Sequence, residues 1–511
     1  MRFQERMKKF DEIRQAHLRM GGEKKLAARR AAGVLNVRER VDYLLDKGTF
    51  LEVGLFSHSD QPNMADRSAC DGKVSGWGQI HGRPVGVVAN DLTVLGASSG
   101  NVNGKKIAYM KRIACSRGIP LVFLNEAAGA RMPDYMGARG MVAMAQDPTQ
   151  YQRLREAPWA ACLLGPCYGS GTWYSCMSDF RAMRKGAIMA VSSPKVTVLA
   201  TGEDTPEEEM GGWRLQSEQT GMVDMVGETD QECMDMVKKF LSYLPSNAHQ
   251  ASPTAAVPEG SGEKMKDILQ FLPEDRKRAY DMRNLLTCIV DGGELFELKK
   301  TYGRAAVTTL ARLGGRSVGI IANNTIHFSG ALDADACEKI TSFLVLCDSY
   351  NIPILMFVDT PGFMIGKEGE RRKVTGKIIN FMNALTLVTV PKITIIVRKT
   401  YGQAFLNMGG GRNSDTIVAW PTAEISFMAP ETGINVVHNL RKEDDPKRFA
   451  ELVKAMDKDT EPWGAAGIFN VQDIIEPEKT RDWLIQMLDF HFNHQTGGVG
   501  RHLMHCWPTS Y

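Results

Sequence analysis

Four glycine-bearing stretches carry the chemistry open to this sequence. Ala127-Ala128-Gly129-Ala130-Arg131 and Cys167-Tyr168-Gly169-Ser170-Gly171 each follow a short apolar run. Each has a counterpart 233 residues later, in Thr360-Pro361-Gly362-Phe363 and Thr400-Tyr401-Gly402-Gln403-Ala404. Backbone amides at such turns point into open space and bind an anionic oxygen without side-chain reorganisation. Any one of the four alone reads as an ordinary tight turn, but recurrence at equivalent positions favours paired oxyanion sites. Gly96-Ala97-Ser98-Ser99-Gly100 resembles a phosphate-cradling loop only vaguely, with Ala97 and Ser98 as its candidate contacts. No Walker loop and no H-E-x-x-H pair occurs, and no nucleophile is expected. Oxyanion donors without a nucleophile suit enolate chemistry on a thioester, where a developing negative charge needs stabilising.

The elements that position these turns follow from the same internal echo. Gly82 to Asn90 recurs as Gly315 to Asn323, and Gly118 to Phe123 as Asn351 to Met356, all at the 233-residue offset. Length alone suggests about three domains, but the repeat argues for two copies of one fold. The apolar runs Pro84–Ala89, Pro120–Leu124, Trp159–Leu164, Ser317–Ala322, Pro353–Val358 and Ile393–Val397 read as strands buried on both faces. Ile340, Phe343, Leu344 and Cys347, and in the first copy Ile107, Met110 and Ala114, have helical spacing. The expectation is an α/β protein with an N-terminal domain over 1–245, a linker over 246–275 rich in Pro, Gly, Ser and Ala, and a C-terminal domain over 276–511. Before the first core, helices are expected to residue 47, with one turn at Gly21-Gly22.

Composition narrows the class. Net charge is +3 over 511 residues, with 43% apolar and 24% charged residues, which describes a globular protein and signals no nucleic acid. Ten cysteines without a C-x-x-C pair fit reduced thiols in a cytoplasmic enzyme, and no structural metal is expected. The cluster His502, His505 and Cys506 lacks a nearby fourth ligand. No apolar run is long enough to span a membrane.

Gly165–Gly171 with Ser178-Asp179-Phe180, Phe357–Phe363, and Arg398–Gly402 with Ala419–Glu424 resemble the carboxyltransferase (beta) subunit of biotin-dependent acyl-CoA carboxylases, the propionyl-CoA and methylcrotonyl-CoA carboxylase family. Ala31–Gly33, Arg38–Arg40, Asp91–Gly96, Gly129–Arg131, Gly330–Asp333 and Lys339 add to the resemblance, which covers about residues 20 to 490. It implies two tandem crotonase-like (ClpP/crotonase) domains related by internal duplication. It also implies an active site between the N-half of one subunit and the C-half of another, in a homo-oligomer that is a dimer or a trimer of dimers.

The acyl-CoA would lie on the N-half, its enolate oxygen held by Gly169 and Ser170. Carboxybiotin, on a separate carrier subunit loaded by a biotin carboxylase, would lie on the C-half against Gly402 and Gln403. Carboxybiotin would also supply the base. Gly129, Arg131, Gly362, Phe363, Ala97 and Ser98 would contact the coenzyme A thioester or biotin. Tyr168, Trp173 and Leu406 would line the substrate pocket. Relatives usually carry a second glycine where Ser170 and Gln403 stand, so a side chain there is expected to restrict a left-handed backbone and narrow the pocket. No biotinylation site of the Ala-Met-Lys-Met kind occurs, so partners must carry the biotin. Two other readings fit the same residues: the carboxyltransferase component of a sodium-pumping acyl-CoA decarboxylase, and a non-catalytic CoA-binding scaffold.

Overall fold

Continuous apolar runs have no polar face to show to solvent, so they form strands covered on both sides. All six runs expected as strands fall in strands of a computed structural model, which describes residues 3–144, 151–493 and 502–507. The chain divides between His249 and Gln250 into two units.

The first unit contains β1 (Leu51–Val53), β2 (Lys73–Ile80), β3 (Arg83–Asn90), β4 (Leu121–Ala128), β5 (Trp159–Tyr168), β6 (Phe180–Arg184), β7 (Ile188–Ala190) and β8 (Met225–Gly227). The second contains β9 (Phe296–Glu297), β10 (Ala306–Leu313), β11 (Arg316–Asn323), β12 (Ile354–Thr360), β13 (Lys392–Tyr401), β14 (Thr416–Ala419), β15 (Glu424–Ser426) and β16 (Asp473–Ile474). The first sheet runs β1-β2-β3-β4-β5-β6-β8 with β7 beside β5, and the second repeats it as β9-β10-β11-β12-β13-β14-β16 with β15 beside β13. In each, only the first two pairings are antiparallel. Helix Asn101–Arg117 connects β3 to β4, and helix Ala334–Ser349 connects β11 to β12. They bury Ile107, Met110 and Ala114 in the first copy and Ile340, Phe343, Leu344 and Cys347 in the second.

Three local expectations are corrected. The N-terminus forms three helices, Phe3–Leu18, Glu23–Ala31 and Val37–Leu44. Gly33 (φ 67°) breaks the run, and Asn36 restarts it through a reciprocal cap with Glu39. The stretch read as a linker packs into the second unit from Gln250 on. Ala255 N–H bonds to the Gly315 carbonyl at 2.8 Å, and Met265, Ile268 and Leu272 join that unit's core. Their i, i+3, i+7 spacing makes an apolar stripe that the surrounding Pro and Gly residues obscure. Strands β2 and β10 were not expected, because Lys73, Gly76 and Gly78 in β2 and Thr308, Thr309 and Arg312 in β10 interrupt any apolar run.

At the C-terminus, the buried His502 bonds through Nε2 to Asn351 Oδ1 at 2.8 Å and through Nδ1 to Thr389 Oγ1 at 3.0 Å. Among the described residues no group of His, Cys, Asp and Glu is placed to hold a metal ion.

Two lysines at equivalent positions fasten the long helices to the sheets. Lys106 Nζ donates to the carbonyls of Lys73, Cys70 and Gly54, and Lys339 Nζ to those of Ala306 (2.7 Å) and Tyr302 (3.0 Å). Burial pushes the Lys339 ammonium down from 10.5 to about 7 and that of Lys73 to about 8. Between about pH 7 and 10.5 the unfolded chain therefore binds a proton at Lys339 that the folded chain does not, so this group's contribution to stability rises with pH across that window and is flat below it. Above about pH 8.5 the buried thiols, whose protons the folded chain keeps, act in the opposite sense. Unfolding free energies from urea titrations, measured every half unit of pH up to about 8.5, will climb from about pH 7 at roughly 1 kcal/mol per pH unit for this group. In Lys339→Met the climb will begin only near pH 8; an unchanged profile would mean that Lys339 stays charged.

Candidate active site

Strand β5 ends at Tyr168, the chain turns at Gly169 with φ 64° and ψ −127°, and helix Ser170–Met177 begins at once. Strand β13 ends at Tyr401, the chain turns at Gly402 with φ 59° and ψ −143°, and helix Gln403–Asn407 begins. This backbone combination is open to glycine and strained for any other residue. Both copies keep it at the same point of the fold, 233 residues apart. Ser170 and Gln403 are the first helical residues. Neither has a positive φ, so the expected left-handed restriction falls on the preceding glycine and a Cβ at either position costs the backbone nothing.

The first turn of a helix leaves amides without intrahelical partners. At the first site Thr172 and Trp173 N–H both donate to the Gly169 carbonyl, at 2.9 and 3.2 Å. The N–H groups of Gly169, Ser170 and Gly171 have no bond among the described residues. At the second site the Gly402 N–H donates to the Ser426 carbonyl at 3.0 Å. The unbonded amides there are those of Gln403 and Ala404, the counterparts of Ser170 and Gly171, while Gly402 shapes the turn. Strands β7 and β15 end at equivalent places beside the two turns, at Ala190 and Ser426, and of the two only Ser426 accepts the amide of the adjoining glycine.

The neighbouring loops also match. Ser99 pairs with Ala130 and Leu332 with Phe363 in isolated parallel bridges. Ser99 N–H donates to Gly129 O (2.9 Å) and Arg131 N–H to Ser99 O (2.7 Å). In the second copy Leu332 N–H donates to Gly362 O (3.0 Å) and Met364 N–H to Leu332 O (2.9 Å). Strand pairing of Ala128 with Tyr168 sets Gly129 beside Gly169, where a Cβ on Gly169 would lie 3.6 Å from Gly129 Cα. Pairing of Thr360 with Thr400 does the same for the Gly362 and Gly402 stretches. Gly129, Ala97, Ser98, Gly169 and Ser170 are thus brought together in the first unit, and Gly362, Phe363, Gly402 and Gln403 in the second.

Several side chains prove to hold the scaffold. Arg131 is buried, with Nη1 2.7 Å from Asp71 and Nη2 3.1 Å from the Ser98 carbonyl. Its charge is neutralised inside the protein. Gly96 to Gly100 has the G-x-S-x-G spacing of a nucleophile elbow. Ser98, however, is buried, donates to Leu95 O at 2.7 Å and accepts from Arg131 Nε, so it fastens the loop. Lys73 Nζ anchors the carbonyl of the buried Ala97 at 3.1 Å. Tyr168 is only 5% exposed and donates to Glu207 at 2.9 Å, and Tyr401 donates to Glu424 at 2.6 Å. Burial and these bonds push both phenols well up, so Tyr168 forms the wall behind the turn. Trp173 and Leu406 occupy equivalent positions four residues after each glycine, Trp173 half-buried and Leu406 exposed.

Behind the turns, β4 and β12 carry Glu126 and Asp359 at equivalent positions. Each is neutralised by buried arginine: Arg40 lies 2.8 Å and Arg29 3.0 Å from Glu126, and Arg398 lies 2.9 Å from Asp359. The sequence reading missed Lys73 and Glu207, which are distant in sequence from what they hold, and met Glu424 only as the end of the Ala419–Glu424 stretch. It also passed over Ser99, whose hydroxyl pairs with that of Ser170 and which had been visible only as one of two adjacent serines.

Comparison with known proteins identifies the family and the fold. Residues 28–497 match the carboxyl transferase domain family. The chain is 34% identical over 499 residues to the carboxyltransferase subunit of propionyl-CoA carboxylase from Haloferax mediterranei, covering 95% of this chain and 96% of that one. It is 32% identical over 475 residues to the alpha subunit of methylmalonyl-CoA decarboxylase from Propionigenium modestum, covering 91% and 92%. Among solved structures it matches the transcarboxylase 12S hexamer with methylmalonyl-coenzyme A and methylmalonic acid bound, at a TM-score of 0.90 and 32% identity, over 98% of this chain and 99% of that one.

Proposed function

The chain belongs to the carboxyl transferase family, and we propose that its first unit holds the acyl-CoA thioester and its second unit carboxybiotin. It is an acyl-CoA carboxyltransferase built from two tandem crotonase-like domains. The observation that carries the division of labour is the duplicated glycine turn, which offers unbonded amides in each copy, those of Gly169, Ser170 and Gly171 in the first and those of Gln403 and Ala404 in the second, among the described residues.

In the first unit the amides of Gly169 and Ser170 hold the thioester oxygen. When the α-proton leaves, the electron pair moves onto that oxygen, and fixed N–H dipoles stabilise the charge without reorganising. In the second unit the N–H groups of Gln403 and Ala404 would hold the ureido oxygen of biotin, where negative charge would gather once the carboxyl group has left. Carboxybiotin, when bound, supplies the carboxyl group and accepts the α-proton. Trp173 and Leu406 bound the space beside each turn with apolar surface, which fits a short apolar acyl group.

The chain works in a homo-oligomer, as a trimer of dimers, with the N-half of one copy facing the C-half of another. Biotin carboxylase and a biotin carrier subunit are its partners, and the cytoplasm its compartment. Among the described residues no helix is long and apolar enough to cross a membrane. Amide pairs of this kind stabilise the same charges in either direction, and the similarity to a methylmalonyl-CoA decarboxylase subunit makes decarboxylation the second reading.

Reconstitution with biotin carboxylase and loaded carrier, across thioesters from acetyl-CoA to long-chain and branched acyl-CoA, tests the reading. Carboxyl transfer to a short acyl-CoA is expected. Turnover only from the carboxylated thioester to free carbon dioxide would favour the decarboxylase. No turnover with intact CoA binding would leave a scaffold.

A further inference from the structure

We propose that the paired hydroxyls of Ser99 and Ser170 supply a third hydrogen-bond donor to the thioester oxygen, beside the amides of Gly169 and Ser170. The inference rests on the reading of that turn as the acyl-CoA site. Ser170 Oγ and Ser99 Oγ are hydrogen-bonded to each other. Two hydroxyls carry two hydrogens, and the bond between them uses one. The second has no acceptor among the described residues, and both serines are partly exposed. The pair therefore presents one O–H to whatever occupies the turn.

Its position is set from three sides. Ser170 opens the helix directly after Gly169, so its hydroxyl stands beside the amide it shares a residue with. Ser99 is bonded through its own N–H and carbonyl to Gly129 and Arg131, and Arg131 is in turn held by Asp71 and Ser98. Lys73 pins the same loop through the Ala97 carbonyl. A donor fixed this firmly loses little entropy when the negative charge appears, which is the condition for stabilising a transition state more than a ground state.

The second copy has nothing comparable. Leu332 and Gln403 stand at the positions of Ser99 and Ser170, and Gln403 Nε2 turns to Asn407 Oδ1 at 3.1 Å. The hydroxyl pair thus belongs to one half of the duplication, the half assigned to the thioester enolate. A serine in place of glycine at 170 adds a donor where the charge arises, and the backbone there accepts it without strain.

The test is Ser170→Ala and Ser170→Gly in the full chain, with Gly169→Ala as the reference for the turn itself. The measurements are α-proton exchange in deuterated buffer containing free biotin, and acyl-CoA affinity, using the acyl-CoA that the wild-type enzyme turns over. Exchange is expected to fall about tenfold in both serine variants, the size of one hydrogen bond, with affinity within twofold. Ser99→Ala should fall less, and the double variant no further than Ser170→Ala, because the two hydroxyls act as a unit. Exchange within twofold of wild type in Ser170→Ala, with Gly169→Ala impaired, would overturn the hydroxyl role and leave the amide site standing. Full exchange in Gly169→Ala as well would remove the acyl-CoA site itself.

Discussion

Gly169→Ala will lose most of its enolate chemistry while keeping its fold. The added Cβ would meet only Gly129 Cα, at an ordinary 3.6 Å, so crowding is not the cause. The backbone is. With φ 64° and ψ −127°, alanine costs about 1–3 kcal/mol where glycine costs none, and the turn relaxes by rotating. Rotation carries the Gly169 and Ser170 amides away from the thioester oxygen, and each lost oxyanion donor is worth roughly 10² to 10³ in rate. The expected result is a fall of at least about 10² in α-proton exchange, with thioester affinity changed only a few-fold because the binding surface outside the turn is untouched. Thermal unfolding should show a modest drop in the midpoint. Normal exchange with that same drop would show that the strain is real and the assigned role wrong.

Gly402→Ala should damage the other half-reaction. Here the Cβ would also press on the Phe427 carbonyl at 3.1 Å, and the Gly402 amide would be pulled from Ser426. Release of carbon dioxide from free carboxybiotin, measured without any acyl-CoA, is expected to fall roughly 10²-fold. Acyl-CoA affinity should stay within twofold, since the altered turn lies in the other unit. Equal loss of acyl-CoA affinity in both variants would mean that the two turns do not divide the reactants.

How much of this was legible in the sequence depended on whether a feature was written in consecutive residues. The repeat, the buried strands and the two glycines are local patterns, and the structure places Gly82–Asn90 and Gly315–Asn323 at the same strand of two sheets with one order. Strands β2 and β10 were hidden because their core-facing residues alternate with Lys, Ser, Thr and Gly whose polar atoms find partners across the fold. Lys73 shows this, reaching Asn90 and Ala97. The role of Arg131 was open to misreading for the same reason, since nothing near it in sequence reveals that Asp71 neutralises it. The capture of the Gly402 amide by Ser426 depends on β15, whose pairing with β13 cannot be read from either segment alone.

The duplicated turns make one catalytic unit only if the halves that face each other come from different copies. Co-expressing Gly169→Ala and Gly402→Ala chains with different affinity tags, and purifying assemblies that contain both, tests this directly. A mixed pair then holds one site with both turns altered and one with both intact. Carboxyl transfer from carboxybiotin to acyl-CoA should therefore return in the mixed assembly to a substantial fraction of the wild-type rate, although either variant alone is nearly inactive. Mixed assemblies as inactive as the separate variants would contradict the account.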